Sequence, residues 1–519
     1  MDSIVTPPPR PQHPRPTPFG ELCEHLGVEL QRATDVSVTG VSINAAQVVP
    51  GDVFVALAGS VHHGALFADD AIAQGALAII TDSQGADMLG DVHVPIGICD
   101  NPRHLLGFVS RQVYGTDRHA PQVLAVTGTN GKTSVTYFLE NICRALGQKT
   151  ALSNSTERRV AGEVFRTKLT TPESNELHAM LALGSEQGVS TLCLEASAQA
   201  IERFRLNGLR IAVASFTNLS HDHFEDFGDM DNYLATKAQL FDPEYTSTAV
   251  ICLDTSWGVT LAGQVTIPVT TVASSTTPGS SGADWVCEIV ATDGETTDFV
   301  VSGEGWSIPS RIHAVGSHMV QNAAVAIVMV INSGQRVADI AAAITPERGG
   351  MDVVIPGRLE KVSGDSPVAI YLDAGRSADA YEKTLETLKG IASGKLIAVC
   401  GTSGNRDPSK RPVMGGVAAS IADHVIITDD DPRWEDPAEI RRGLLEGALG
   451  AGGNASIDEI PEPVDAISHA VSLASKGDVI VWSGPGSQNY REVRGERLPF
   501  SAREEARRAL RARAMATEG

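Results

Sequence analysis

Apolar positions along the chain fall into short runs separated by polar or helix-spaced stretches, and the pattern changes character twice. From about Phe19 to residue 119, the run Val53 to Leu57 follows the turn Pro50-Gly51-Asp52, and Leu77 to Ile80 follows a helical stretch over Asp69 to Gln74. A second helix is predicted over Arg103 to Tyr114. Apolar runs this short, bounded by turn residues, are strands of a small α/β unit. Ahead of it, residues 7–18 read PPPRPQHPRPTP, and 1–18 are expected to be an extended, disordered tail.

The region from about 120 to 352 starts with a buried strand over Val123 to Val126, a glycine-rich polar turn, and apolar residues at Val135, Phe138, Leu139, Ile142 and Leu146. That spacing is helical, and Gly147 stops it. Thr191 to Leu194 and Ile211 to Phe216 are further strands, each ending in polar residues. Strands alternating with helices imply a mostly parallel sheet covered on both faces. The stretch 255–310, rich in Ser, Thr and Gly, is expected to be β-rich or loop-rich. A third unit, 353–519, repeats the α/β pattern with strands over Val368 to Leu372, Leu396 to Val399, Val425 to Thr428 and Val479 to Trp482. Its last helix starts at a capping box, Ser501 to Glu504.

The chain has 519 residues, 42% hydrophobic and 20% charged, which is a globular composition and enough for about three domains. A formal net charge of −22 argues against nucleic-acid binding, which needs phosphate-neutralising Lys and Arg. No apolar run is long enough for membrane insertion, and no secretory leader is visible. Seven cysteines stand singly, without a CxxC pair, as in a reduced, cytoplasmic protein without a structural zinc site.

The strongest chemical signal is Gly128-Thr129-Asn130-Gly131-Lys132-Thr133 between a strand and a helix. Glycines let backbone N–H groups turn around phosphate oxygens, Lys132 reaches the outer phosphates, and Thr133 can ligate Mg²⁺. Glu195, ending a neighbouring strand, can hold a metal close to those phosphates.

GTNGKT (128–133) resembles the phosphate loop of the Mur ligase and folylpolyglutamate synthase superfamily. Further stretches narrow the resemblance to the Mur ligases that add the third residue to UDP-N-acetylmuramoyl-dipeptide: PGDVFVAL (50–57), TTPE (170–173), LEAS (194–197), FTNLSHDH (216–223), PGRLE (356–360), RDPSKRPVMG (406–415), DDPRWEDP (430–437) and SGPG (483–486). The resemblance implies an α/β, three-domain Mur ligase architecture, with an N-terminal acceptor-binding domain over 19–119. A central P-loop parallel-sheet domain binds ATP over 120–352, and a Rossmann-like domain binds the amino acid over 353–519. It implies a cytoplasmic, monomeric ATP-dependent ligase of peptidoglycan biosynthesis, with small-molecule partners: ATP, an acid acceptor and an amino acid.

By the same resemblance, Glu195 and His223 match ligands of a second Mg²⁺, and Lys237 matches a lysine that carries a CO₂-derived carbamate. A lysine desolvated near metals loses its proton and can capture CO₂. Asn322 matches the adenine-side asparagine. Arg358 and Asp373 match third-domain groups that close over ATP. Thr170, Thr171, Ser197 and Arg205 match acceptor-binding positions, and Asp430, Asp431, Arg433, Gly484 and Gln488 match amino-acid-binding positions.

Departures from the family pattern cluster at the substrate pockets. The uridine-side Asp-Ser-Arg reads Asn44-Ala45-Ala46. The acceptor-side Ser-Ser-His reads Ser197-Ala198-Gln199. The Asp-Tyr-Ala-His-Thr-Pro stretch reads Asp373-Ala-Gly-Arg376-Ser-Ala. In the third domain, Asp-Asn-Pro-Arg reads Asp430-Asp431-Pro432-Arg433, and Gly-Lys-Gly-His-Glu reads Gly484-Pro485-Gly486-Ser487-Gln488. Gln488 is uncharged where the pattern has a glutamate for a distal ammonium. Two competing readings therefore stand beside the muramoyl-dipeptide ligase: the same chemistry on a different acid or amine, and a silent nucleotide-binding regulator.

Overall fold

A computed structural model describes residues 8–31, 35–165, 169–222 and 224–518. Among these, the chain forms three α/β units in sequence. The first has a sheet in the order 29–30, 96–98, 78–81, 52–55, 40–42, parallel except for its 29–30 edge. The helix Pro102–Val113 starts at an Asn101 cap and buries Leu106, Val109 and Val113 against this sheet.

The segment from residue 8 onward is not the disordered tail expected from its prolines. Thr17–Pro18 pairs with Ser37–Val38. The Arg10 guanidinium grips Asp52, whose side chain is 1% exposed, with bonds of 2.7 and 2.8 Å. The backbone N–H groups of Gln12 and His13 donate to Glu186. An ion pair across 42 residues leaves no local sequence signal.

The central unit contains an 11-stranded sheet, parallel from Thr150–Ser153 through to Trp285–Thr292 and antiparallel at both ends. Gln122–Thr127 lies inside it, between Thr191–Glu195 and Ile211–Phe216. Its residues divide by parity. Leu124 and Val126 face the helices Lys132–Ala145 and Ser317–Asn332, and Val123 and Ala125 face Ser174–Glu186. Period-two alternation between two buried faces is what a parallel sheet covered on both sides requires. The β-rich or loop-rich expectation for 255–310 fails over Ser256–Gln264 and holds from Val269 onward. Ser256–Gln264 is a helix, capped by Thr255 and burying Leu261 and little else that is apolar, so its periodic signal is weak.

The third unit has a six-stranded sheet in the order 360–361, 369–373, 479–483, 396–400, 424–427, 456–459, with its inner pairs parallel. Asp373, Ser483, Cys400 and Ile427 are aligned across it. The loops that follow them leave the same edge, the usual place for ligands in an open parallel sheet. The last helix is Ala502–Glu518, and the N–H of Glu504 donates to Ser501 Oγ at 3.4 Å.

Candidate active site

The phosphate-loop strand ends at Thr127, and Gly128 and Gly131 take φ values of +141° and +88°. A Cβ at Gly128 would meet Thr217 Oγ1 at 2.0 Å, and one at Gly131 would meet Asn322 Oδ1 at 2.3 Å. The turn is held from the next strand's end. Thr129 N–H donates to Asn218 O, Asn130 N–H donates to Asn218 Oδ1, and Thr217 Oγ1 donates to Asn130 O. Glycine is therefore needed both for backbone sign and for close approach. The helix that follows begins at Lys132 and turns its amide end to the loop.

Two lysines converge on one carbonyl. Lys132 Nζ donates to Gly128 O at 3.0 Å and to Thr129 O at 2.8 Å, and Lys237 Nζ donates to Gly128 O at 2.9 Å. Lys237, on the helix Met230–Ala238, is 1% exposed and stacks its ammonium over Tyr233 at 4.3 Å. Burial, then the nearby Lys132 charge, pushes its pKa well below the usual lysine range. Burial also lowers Lys132, against the pull of Glu195 and Asp222.

Glu195 Oε2 accepts from Thr133 Oγ1 at 3.0 Å and from the Ser155 N–H at 3.1 Å, while Oε1 sits 3.9 Å from Lys132 Nζ. A buried carboxylate and a hydroxyl side by side at a phosphate loop are hard oxygen donors that suit Mg²⁺. Thr133 and Glu195 thus fit the metal role. Lys237, whose pKa burial lowers, lies on the same loop through Gly128 O. His223 lies outside the described residues.

Lys132, Thr133 and Glu195 line a cleft with about 970 Å³ of open space, together with Asn322, Arg358 and Asp373. Arg358 reaches Thr133 Oγ1 at 3.5 Å. Asp373 accepts the N–H groups of Leu359 and Gly375, and its burial raises its pKa against the Arg358 charge. Asn130 Nδ2 donates to Ser377 Oγ and Asp379 Oδ2, so the third unit touches the phosphate loop directly. The cleft also contains Arg376, which sequence reasoning had noted only as a departure from the family pattern, and three residues it gave no role: Asp222, His318 and Lys383. Asp222 stood inside the FTNLSHDH stretch and could have been found there. His318, whose pKa is lowered to about 4 by burial beside Lys383, had no such signal.

The acceptor candidates meet one residue away. Thr171 Oγ1 donates to the backbone carbonyl of Glu195 at 2.7 Å and accepts the Ser197 N–H at 3.0 Å. Ser197 caps the helix Ala198–Glu202. Arg205 donates to Thr171 O and to Glu173, which also takes Arg103 from the first unit. Thr170 precedes Thr171 on the same loop.

The amino-acid candidates sit on loops at the third sheet's ligand edge. Asp430 accepts from Ser403 Oγ, and its burial raises its pKa while Arg376 opposes. Asp431 accepts the Glu492 N–H. Arg433 has φ +53°, and its Nε is 3.9 Å from Glu492, with no hydrogen bond among the described residues. Gly484 lies against Gly401 and Asp430, and Arg376 reaches its carbonyl at 3.5 Å. Gln488 is half-buried on the same loop. A Cβ at Gly357 would meet Ser487 N at 2.4 Å, so the loop bearing Gln488 packs on the turn bearing Arg358.

Comparisons with known proteins agree along the whole chain. The family models described as Mur ligase family, catalytic domain, as Mur ligase middle domain and as Mur ligase, glutamate ligase domain match residues 37–114, 126–330 and 357–486. The UDP-N-acetylmuramyl-tripeptide synthetase of Leifsonia xyli subsp. xyli is 42% identical over 504 residues, covering 97% of each chain. The UDP-N-acetylmuramoyl-L-alanyl-D-glutamate--2,6-diaminopimelate ligase of Streptomyces coelicolor is 33% identical over 510 residues, covering 97% of this chain and 98% of its own. A solved structure of a UDP-N-acetylmuramoyl-L-alanyl-D-glutamate--2,6-diaminopimelate ligase aligns with a TM-score of 0.66 at 28% identity, covering 96% of this chain and all of that one. The MurF ligase from Thermotoga maritima in complex with ADP shares the fold, with a TM-score of 0.65 at 18% identity and coverage of 91% and 98%.

Proposed function

The chain belongs to the Mur ligase family, and from that premise we propose that it adds the third residue to UDP-N-acetylmuramoyl-dipeptide, using the site residues described above. As a Mur ligase it is an ATP-dependent enzyme that forms an amide bond. No helix among the described residues is long and apolar enough to cross a membrane. Relatives named for muramoyl-peptide synthesis align over 97% of the chain, which favours this acceptor over an unrelated acid and favours an enzyme over a silent regulator.

One observation carries the reading of the site. Glu195 faces the phosphate loop with its carboxylate and the acceptor loop with its carbonyl, through Thr133 Oγ1 at 3.0 Å and Thr171 Oγ1 at 2.7 Å. An acid held by Thr170, Thr171, Ser197 and Arg205 then lies beside the γ-phosphate. Its carboxylate oxygen attacks phosphorus, ADP leaves, and an acyl phosphate forms. The amine attacks the acyl carbon, phosphate leaves, and the amine's proton is lost to solvent.

This chain's residues mostly position groups and offset charge. The loop amides and Lys132 hold the outer phosphates. Asn322, Arg358 and Asp373 hold the rest of ATP and tie the third domain to it. Arg433 offers a fork of donors to the amino acid's carboxylate, and Asp430, Asp431, Gly484 and Gln488 surround its side chain. Thr133, Glu195, His223 and a carbamate on Lys237 would hold two Mg²⁺ ions, which neutralise phosphate oxygens as charge moves to the leaving group. The full set comes from one chain, so a monomer suffices.

The test offers purified protein and Mg-ATP a panel of acids and amines, following phosphate release and product mass. A product of the expected mass with UDP-muramoyl-dipeptide and one amino acid supports the reading. Product only with other acids overturns it.

A further inference from the structure

We propose that His424, Asp458 and His469 form a transition-metal site, best suited to zinc, on the third domain and separate from the ATP and substrate pockets. Both His424 Nε2 and His469 Nε2 contact the same oxygen, Asp458 Oδ2, at 2.7 and 3.1 Å. The three candidate ligand atoms all lie within 4.8 Å of one another. Among the described residues, the ion-pair partners of Asp458 are these two imidazoles, with no lysine or arginine.

The donors stand on regular elements, not on a loose surface loop. His424 opens the strand His424–Ile427 and pairs with Ser456, while Asp458 pairs with Ile426 on the edge strand Ser456–Glu459. Ile426 packs into the same core as Ala466, Ile467 and Ala470, so His424 and Asp458 share the face that the helix Pro463–Leu473 covers. That helix brings His469 to them. His424 is at the strand's amino end, whereas the amino-acid candidates Asp430, Asp431 and Arg433 follow its carboxyl end.

The chemistry selects the metal. Two imidazoles and one carboxylate suit zinc and its neighbours, whereas Mg²⁺ takes oxygen ligands. At zinc–ligand bonds of about 2.0–2.1 Å, donors of a tetrahedral ion stand roughly 3.3 Å apart, so shifts well under a side-chain length admit it. Binding requires each Nε2 to be free of its proton, with Nδ1 carrying it, so the ion replaces the two Nε2···Oδ2 contacts with two N–metal bonds. Side-chain exposures of 18% for His424, 38% for His469 and 42% for Asp458 leave an entry path and room for a water as fourth ligand. The bound ion would fasten the sheet's edge strand to the helix above it.

The full chain, stripped with a chelator and kept in excess Mg²⁺, is titrated with Zn²⁺ against a chromophoric chelator. The wild type is expected to take up one tight equivalent and to melt at a higher temperature with zinc. His469→Ala and Asp458→Asn should each weaken that equivalent by about a hundredfold or more and abolish the thermal shift, while Glu195→Gln keeps both. Melting of each variant in chelator at the wild-type temperature establishes that it is folded. Absence of tight uptake by the wild type, or uptake unchanged in the two folded variants, overturns the proposal.

Discussion

At the phosphate loop, charge converges on a single point: Lys132 and Lys237 reach Gly128 O at 3.0 and 2.9 Å, and Glu195 takes Thr133 at 3.0 Å. At the amino-acid pocket, charge is spread over several loops. Asp430 and Asp431 follow one strand, Gly484 and Gln488 another and Arg376 a third, and Arg433 Nε has no hydrogen bond among the described residues. The first arrangement is fixed by one strand-turn-helix unit and its immediate neighbours. The second depends on how several loops settle against each other, so it can change its ligand without disturbing the fold. On the proposed assignment, ATP chemistry would be carried by one contiguous unit and amine choice by several separate loops.

If convergence on Gly128 matters as described, Lys132→Ala should show the largest effect, a loss of turnover of about 10³-fold or more, because it removes a charge aimed at the transferring phosphoryl group. Phosphate release and product mass are the readouts, and near-normal turnover would break the assignment. Lys237→Ala should cost about 10²-fold, with partial recovery in millimolar formate or acetate as a small carboxylate fills the place of the carbamate. Full activity with no response to carboxylates would leave Lys237 as a buried structural lysine. Glu195→Gln should raise the Mg²⁺ concentration needed for half-maximal rate by about tenfold, and chelation should stop the wild type.

The same contrast explains what the sequence could reveal. Gly128 to Thr133 are contiguous, and their strand and helix have clear periodicity, so loop and flanks were both legible. The parity of Leu124 and Val126 against Val123 and Ala125 follows directly from alternation. Ser155 reaches Glu195, and Lys383 joins the cleft, from distant segments, and nothing local marks them. The Arg10 to Asp52 pair is equally non-local, which is why a proline-rich segment read as a free tail is held. Helix Ser256–Gln264 escaped because its polar and small residues bury little apolar surface.

In the third-domain pocket, Arg433→Ala should raise the amino-acid KM by about 10- to 100-fold, the scale of one charge-assisted hydrogen bond at roughly 1.5–3 kcal/mol, with kcat changed little at saturation. An equal fall in kcat would place Arg433 in the transition state and blur the division between the two regions.

The smallest effect, and the most discriminating, belongs to Gln488. Its loop packs through Ser487 on Gly357, beside Arg358, and the same loop begins at Gly484, which lies against Asp430, while Gln488 carries no charge. Gln488→Glu adds a carboxylate to a pocket that already holds two aspartates, with Arg376 and Arg433 nearby. A distal ammonium would gain a partner, at roughly the 0.2–1 kcal/mol of a partly exposed ion pair, so KM for a diamino acid should fall by about 1.4- to fivefold. A neutral amino acid gains nothing, and its KM should stay level or rise. Parallel KM measurements with one diamino and one neutral amino acid give the ratio. A shift toward the diamino acid with unchanged ATP KM keeps amine choice apart from ATP binding. A change in ATP KM of the same size would mean that the Ser487–Gly357 contact transmits amine identity to Arg358, and that the two regions are coupled through that one close approach.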